Sequence, residues 1–237
     1  MGNVTFRRYG KVNKAPFDGD PVFANNTWEK IIDVCRKDIV PESWAVGDKK
    51  TMTIGGADFE ITIIGKRHDV YADGSGKAPL TLQMQNGFGT KFKLNSTATS
   101  AGGWDACEAR TAAGGARDTV KNSMPAEVVS GIAKVRKRTS AGSNSQTIVD
   151  SSDDLFLLSE VEVFGTTNGT AFGEGEQYNY YAAGNSKIKY VGTSKSNWWL
   201  RSPRLAANGY FYYVSTAGAL TSNSPTNALG VSFAFCF

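Results

Sequence analysis

The sequence predicts an α+β domain built from short antiparallel strands, two or three helices and long irregular loops. Gly accounts for 26 of the 237 residues. Asn, Ser and Thr are abundant in the second half, and such a composition favours many turns and short strands over long helices. One segment has a clear helical pattern, and several others alternate as strands do. The apolar and charged fractions, 41% and 20%, are those of an ordinary globular protein.

The first half contains the clearest local patterns. In NTWEKIIDVCRKDI the apolar residues recur at helical spacing, Thr27 can cap the helix, and Pro41 ends it. TMTIGGADFEITIIG alternates as a β-hairpin does, with Gly55 and Gly56 at the turn. KAPLTLQMQN is a further strand candidate. These segments predict one helix followed by three strands.

Predicted elements are shorter in the second half. DTVKNSMPAEVVSGIAKVRKRTS indicates one or two helices interrupted at Pro125, and DDLFLLSEVEVFG is predicted as one strand. SNWWLRSP and GVSFAFCF are predicted as strands of one antiparallel sheet. Because neighbouring side chains of a strand point in opposite directions, at least one of Trp198 and Trp199 should be buried.

The organisation predicted from the sequence is an N-terminal arm, residues 1–25, followed by one domain, residues 26–237. The arm is polar, basic and rich in turn residues. Such a composition buries little apolar surface, but Phe6, Tyr9 and Phe17 could dock onto a neighbouring subunit. The domain shows no internal repeat and no clear linker.

Charge and hydropathy argue against two classes of partner. The net charge of +4 is mild, and the basic groups RRYGKVNK and KVRKR are interpreted as solvated surface, so no nucleic-acid site is expected. No apolar run approaches the length of a membrane span. The first residues lack the apolar region of a secretory signal, which predicts that the chain is made in the cytoplasm. If it works outside the cell, a route other than a signal peptide must carry it there.

Cysteine usage predicts reduced thiols. The three cysteines, Cys35, Cys107 and Cys236, are odd in number and widely spaced. They form no CxxC pair or Cys/His cluster, so zinc signatures are absent. We expect no disulfide, and alkylation of the native protein is predicted to modify all three cysteines.

Two groups of residues could carry chemistry, and each has a simpler interpretation. Glu160 and Glu162, two apart in a predicted strand, could be a catalytic carboxylate pair, but the polar side of a half-buried strand is favoured. His68, Asp69 and Asp73 on a Gly-rich loop could bind a divalent cation, although a turn capped by Asp explains them equally well. The sequence therefore predicts no catalytic residue, metal or cofactor.

The C-terminal part carries a family resemblance. WWLRSP is followed, after a polar stretch, by a GV strand, and GGWDACEAR, LFLLSEVEVFG and AGNSKIK lie upstream. This order resembles a domain family of gut bacteria and their phages whose members end in WWLRSP…VNSDG…N…NSxGV. The matching residues are Trp198, Trp199, Leu200, Arg201, Ser202, Pro203, Val214, Gly218, Asn223, Asn227, Gly230 and Val231.

That family is similar, at its C-termini, to the formylglycine-generating-enzyme branch of the C-type lectin fold. The branch includes ligand-binding proteins diversified by retroelements, such as phage tropism determinants. The resemblance therefore implies a C-type-lectin-like domain with a variable region at about residues 198–237. The positions that would vary, and bind ligand, are Arg204, Leu205, Ala207, Tyr210, Tyr212, Tyr213, Ser215, Leu220, Ser222, Pro225, Thr226 and Ala228.

The composition of this segment independently favours binding. Surfaces rich in Tyr, Ser, Asn and Gly combine rigid amphipathic contacts with adaptable hydrogen bonding, as antibody paratopes do. The alternative is that the tyrosines are core. Because Phe211 and Val214 cannot both face inward along one strand without a bulge, at least some of Tyr210, Tyr212 and Tyr213 are expected to be exposed.

Departures from the resembled proteins limit what carries over. The formylglycine-generating enzymes act through a pair of nearby cysteines in their C-terminal half. This chain has only Cys236 there, and Cys107 is its one plausible companion. The calcium signature of sugar-binding lectins is also absent. The resemblance therefore implies a non-enzymatic receptor- or ligand-binding protein of a phage virion or tail. Its partners would be a host-surface protein or glycan and, through the arm, other virion proteins. The alternatives are a formylglycine-generating-enzyme-like or hydrolytic enzyme, or a host-encoded surface or conflict protein. A cytoplasmic location and a homo-oligomer stay open.

Overall fold

A computed structural model describes residues 16–167 and 169–237 of the chain. The strands are β1 Lys49–Ile54, β2 Ala57–Lys66, β3 Leu80–Met84, β4 Val135–Ser140, β5 Ile148–Asp153, β6 Leu155–Phe156, β7 Lys189–Val191, β8 Ser194–Ser196, β9 Trp198–Pro203, β10 Phe211–Val214, β11 Leu220–Asn223 and β12 Ala234–Cys236. The helices are α1 Trp28–Arg36, α2 Gly103–Ala106, α3 Glu108–Thr111, α4 Ala116–Ser123, α5 Ala126–Gly131, α6 Glu160–Phe164 and α7 Asn179–Ala182, with a 3-10 turn at Phe23–Asn25.

The arrangement confirms the α+β class with antiparallel sheets. A five-stranded sheet has the order β1-β2-β3-β12-β6, a three-stranded sheet has the order β11-β10-β9, and β4-β5 and β7-β8 are two-stranded. Every paired strand runs antiparallel to its neighbour. The helices outnumber the two or three predicted because several are single turns of four to six residues.

The start of α1 and the first hairpin turn form as predicted, but α1 ends at Arg36, before Pro41, and Asp38 just after it has a φ of +54°. The Thr27 side chain caps α1 by accepting a hydrogen bond from the backbone N–H of Lys30. Gly55 and Gly56 both have positive φ, as the turn of the β1-β2 hairpin requires. None of the helices in the described ranges is long and apolar enough to cross a membrane.

The segment predicted as one strand from Asp153 to Gly165 instead changes to a helix. Only β6 is extended, and Ser159 begins α6 with a capping box, in which its side chain accepts from the N–H of Glu162 and the Glu162 carboxylate accepts from its N–H. The S-x-x-E spacing is the known signature of this motif. The prediction of a strand was wrong because it relied on the apolar–polar alternation of SEVEV and overlooked the capping signal, which starts a helix in the structure.

The two C-terminal core segments lie close together but in different sheets, so the prediction of one shared sheet was wrong. Trp199 donates its backbone N–H to the Gly230 carbonyl at 2.9 Å, and Gly230 donates to the Asn197 carbonyl at 2.9 Å. However, β12 pairs with β3 on one side and β6 on the other. Both edges of β12 are therefore occupied, and β9 pairs with β10.

The predicted boundary of the arm at residue 25 also needs correction. Phe23 is part of the buried core, and the Phe17 ring packs edge-on against Trp44 with ring centroids 5.5 Å apart. Burial of these two rings joins residues 16–25 to the domain. Phe6 and Tyr9 lie outside the described residues, so the docking role expected for them stays a prediction.

Candidate functional site

Most of the residues predicted to bind ligand are accessible to solvent. Tyr210 and Ala228 are exposed. The partly buried ones are Arg204, Leu205, Ala207, Tyr213, Ser215, Leu220, Ser222 and Thr226. Tyr212 and Pro225, also predicted to bind ligand, are buried and so are not accessible to one in this structure. We call the accessible residues of this set the C-terminal surface.

The burial of Tyr212 follows from packing on both faces of the three-stranded sheet. Phe211 packs in one apolar cluster with Trp199, whereas Tyr212 and Val214 pack in a second cluster. The pairing of β10 with β9 also shifts register between Phe211 and Tyr213. Phe211 and Val214 are therefore both buried, as the irregularity in the strand permits, and Tyr212 between them is buried as well.

The remaining two tyrosines differ in exposure. Tyr210, just before β10, is 40% exposed, whereas Tyr213 is half-buried and packs edge-on against Trp199 at 6.0 Å between ring centroids. Tyr210 is thus the aromatic side chain that the C-terminal surface offers to a partner.

Hydrogen bonds hold the C-terminal surface in one conformation. Arg204 Nη1 donates to Ser222 Oγ at 3.1 Å, and the N–H of Ser215 donates to the Ala219 carbonyl at 2.8 Å across the β10-β11 turn. The Pro225 carbonyl accepts the N–H of Leu94 at 2.9 Å. A surface restrained in this way can bind with little loss of conformational entropy.

A second feature, not predicted from the sequence, is a buried network of ion pairs. Lys137 Nζ lies 2.6 Å from Asp69 Oδ1 and 2.6 Å from Glu162 Oε1. Arg201, with no exposed surface, forks onto both carboxylate oxygens of Glu162 and lies 2.9 Å from Oε1 through Nη2. The charges alternate along Asp69, Lys137, Glu162 and Arg201, so each buried charge has an opposite neighbour.

The pKa values in this network follow from burial opposed by the partner charges. Burial acts to raise the pKa of Asp69, but Lys137 and the neighbouring His68 together outweigh it and leave that pKa below its usual range. The same opposition, with Arg201 and Lys137 as the cations, lowers the pKa of Glu162. Burial would lower the pKa of Lys137, but Asp69 and Glu162 raise it. All of these groups therefore stay charged near neutral pH.

Glu174 is a buried carboxyl beside the network that lacks a direct cationic partner among the residues described. Its Oε1 accepts hydrogen bonds from the Ser140 N–H at 2.8 Å and the Thr139 hydroxyl at 3.2 Å, and the Ser202 hydroxyl contacts Oε2. Burial raises the pKa of Glu174 despite these donors. Ser202 in turn accepts from the N–H of Glu160 at 2.8 Å, which links this carboxyl to α6.

The network forms the floor of a cleft of about 450 Å³. Its lining residues are His68, Asp69, Val70, Lys77, Arg136, Lys137, Arg138, Glu162, Gly173, Gly175, Glu176 and Arg201. A volume of this size lies within the usual range for small-molecule sites.

The structure does not bring together the residues of either candidate site, the catalytic glutamate pair or the cation site. Of the two glutamates, Glu162 lines the cleft and is committed to ion pairs, whereas Glu160 is buried and is not among the lining residues. Asp69 is buried, but Asp73 is exposed and accepts from the Ser75 N–H in a turn. Within the described ranges, no group of three His, Cys, Asp or Glu side chains could hold a metal ion.

The two cysteines that a formylglycine-generating-enzyme-like activity would need, Cys107 and Cys236, are free and do not pair. Cys107 donates from Sγ to the Leu94 carbonyl in one apolar cluster, whereas Cys236 lies in the other cluster near Asp69 and Thr81. The cysteine pair that would define an active centre of that type is therefore not formed.

The burial of the thiols changes the expected result of alkylation. Cys35, Cys107 and Cys236 are buried, and burial raises all three pKa values, that of Cys107 to about 12. Because the thiolate is the reactive form, we expect iodoacetamide to modify almost no cysteine in the native protein and all three in denaturant. Mass spectrometry of both samples checks this; three modified cysteines in the native sample would contradict the buried positions.

The site and fold define a class of protein: an α+β domain whose core contains an ion-pair network, with a polar, Tyr-bearing surface between two buried segments. Residues 89–237, more than half of the chain, match the family Domain of unknown function (DUF6273), and the chain belongs to that family. No curated protein and no solved structure gives a significant match. The matched region includes the C-terminal surface and Lys137, Glu162 and Arg201.

Proposed function

We propose that this protein is a non-enzymatic ligand-binding protein that recognises a host-surface protein or glycan through the C-terminal surface. The observation that carries the proposal is a contrast in burial. Residues 198–203 and 229–237 are buried throughout, whereas most side chains between them are accessible. A polar surface between two rigid core segments can change its side chains without changing the fold.

Chemical composition supports the same function. The accessible positions offer one exposed aromatic ring at Tyr210, a guanidinium at Arg204 and several hydroxyl groups. Tyr and Arg are the residues that most often dominate binding energy, and hydroxyl groups supply adaptable hydrogen bonds. The partly buried apolar side chain of Leu205 adds contact area.

The resemblance to retroelement-diversified proteins extends the proposal to a setting. In that setting the protein belongs to a phage virion or tail, its C-terminal surface varies between copies of the gene, and residues 1–15 contribute attachment to other virion proteins. The neighbouring genes test this part. A reverse transcriptase with a near-copy of the 3′ end of this gene, or adjacent tail genes, is expected; a neighbourhood with neither would contradict it.

Alanine substitution separates binding from stability. Tyr210→Ala is expected to weaken binding about 30-fold, as the loss of an aromatic anchor worth about 2 kcal/mol does. It should change the free energy of unfolding by only about 0.5 kcal/mol because the ring is exposed. Tyr212→Ala should instead destabilise the fold, since Tyr212 is only 8% exposed. Labelled protein is titrated onto intact gut-bacterial cells and a glycan array.

Tyr190→Ala is the matched control, because Tyr190 is 37% exposed and lies outside the C-terminal surface. It should leave binding unchanged. The proposal fails if the wild-type protein binds no cell or glycan saturably, or if the Tyr190 and Tyr210 variants lose affinity equally.

A further inference from the structure

The cleft above the ion-pair network has unequal charges at its floor and its mouth. At the floor, the cations Lys137 and Arg201 balance the carboxylates Asp69 and Glu162. The mouth contains the exposed side chains of Lys77, Arg136 and Arg138, and among the described residues the one carboxylate that lines it is Glu176. Because the floor is neutral in sum, the mouth determines the sign of the cleft, and that sign is positive.

The two arginines of the mouth keep free hydrogen-bonding capacity. Both approach Asp150, Arg136 through Nε at 3.9 Å and Arg138 through Nε at 3.6 Å. These distances are longer than a hydrogen bond. One carboxylate therefore serves two guanidinium groups without binding either closely, and each retains a planar fork of donors suited to carboxylate or phosphate oxygens.

Two glycines of the lining let the backbone approach these charges. Gly173 has a φ of +96°, and a Cβ there would lie 3.7 Å from Nη2 of Arg138. Gly175 has a φ of +114°, and a Cβ there would lie 3.0 Å from Oε1 of Glu162. Side chains at these two positions would be strained and would narrow the cleft over the network.

Two side chains of the lining have polar atoms without partners. Arg201 is fully buried, and its Nε–H has no acceptor among the described residues. Neither ring nitrogen of His68 has a hydrogen-bond partner there, and Nδ1 lies 3.7 Å from Asp69 Oδ2. Buried donors without partners are unusual in native proteins and call for an explanation such as a ligand or water.

We propose that this cleft is a second binding site, separate from the C-terminal surface, that takes a small anion presenting several oxygen acceptors, of the carboxylate or phosphate class. Arg138, Arg136 and Lys77 donate to the anion at the mouth. The ion pairs at the floor hold the walls of the cleft in place. Because their charges cancel, the floor adds no net negative charge that would repel the anion. The site goes beyond the proposed recognition function and does not depend on it.

His68 supplies a direct readout, since it is the one histidine of the chain and lines the cleft. Its imidazole resonances are followed by NMR while inorganic phosphate, or separately succinate, is added at constant ionic strength and pH. A saturable shift with at least one of the two is expected, and the better ligand of the pair identifies the anion class. Sodium chloride at the same ionic strength should not reproduce it.

Arg138→Gln is expected to raise the apparent dissociation constant about tenfold, the effect of one lost charge-assisted hydrogen bond. Lys77→Gln should weaken binding in the same direction. Lys195→Gln removes an equal charge from an exposed position that does not line the cleft and should have no effect. These side chains are exposed, so the variants should fold, and their melting temperatures are measured to check this.

Three results would overturn the proposal: no saturable shift with either anion, an equal shift with chloride, or equal affinity in the Arg138 and Lys195 variants. The last two would indicate an adventitious ion only. Tyr210→Ala should leave the His68 titration unchanged, so this proposal and the proposed recognition function can fail independently.

Discussion

Arg201→Met is expected to lower the free energy of unfolding by about 3–5 kcal/mol, the usual cost of removing one partner of a buried ion pair. Arg201 is fully buried and forks onto Glu162. It also donates to the backbone carbonyls of Leu157, Arg138 and Glu174. Its loss therefore leaves Lys137 as the one cation on Glu162 among the described residues and removes a donor from each of these carbonyls, of which that of Glu174 keeps the Ser159 hydroxyl. Urea unfolding followed by tryptophan fluorescence measures the change.

Two further variants separate charge from packing. Arg136→Met removes an exposed arginine from a strand and should change stability by only about 0.5 kcal/mol. The double variant Arg201→Met with Glu162→Gln removes the excess buried negative charge, leaving Asp69 paired with Lys137, but can keep the capping hydrogen bond to Ser159, so it should be more stable than Arg201→Met alone. A loss below about 1 kcal/mol for Arg201→Met would show that the pair does not support the fold.

Trp198→Ala and Trp199→Ala are each expected to lower the free energy of unfolding by about 3–5 kcal/mol, as large-to-small changes at buried aromatic positions do. Both rings are fully buried, on opposite faces of β9 and in different apolar clusters. Each indole also donates a hydrogen bond, Trp198 to the Lys187 carbonyl at 2.8 Å and Trp199 to the Phe92 carbonyl at 2.9 Å.

Phe172→Ala is the control for these tryptophan variants, because Phe172 is 78% exposed and its loss should change stability by about 0.5 kcal/mol or less. Thermal and urea unfolding of the three variants measure the change in the free energy of unfolding. If either tryptophan variant behaves like the Phe172 variant, that ring is not part of the core, and the packing of β9 between two clusters is wrong.

The buried network explains why sequence reasoning missed the charged part of this molecule. Arg201 stands inside the apolar run WWLRSP, and Glu162 inside LFLLSEVEVF. A charged residue in a segment that is otherwise core is a usable signal of a buried ion pair, because such a charge is almost never fully buried without a partner. The partners could not be read from the sequence, since Glu162 and Arg201 are 39 residues apart and Asp69 and Lys137 are 68 apart.

What the sequence by itself determined are the elements set by neighbouring residues. The Thr27 cap and the Gly55-Gly56 turn depend on contacts within a few positions, so their residue types specify them. The α+β class follows from the sum of such segments. The small polar composition between two apolar runs also predicted accessible side chains there, and ten of the twelve predicted positions are exposed or partly buried.

The tertiary structure alone decided which elements meet. Both edges of β12 are taken by β3 and β6, which excludes β9 from that sheet, and apolar clusters cover both faces of β10, which buries Tyr212. It also brought Asp69, Lys137, Glu162 and Arg201 together beneath one cleft. These outcomes depend on contacts between residues distant in sequence, and the alternation of a single segment contains no information about what covers its second face.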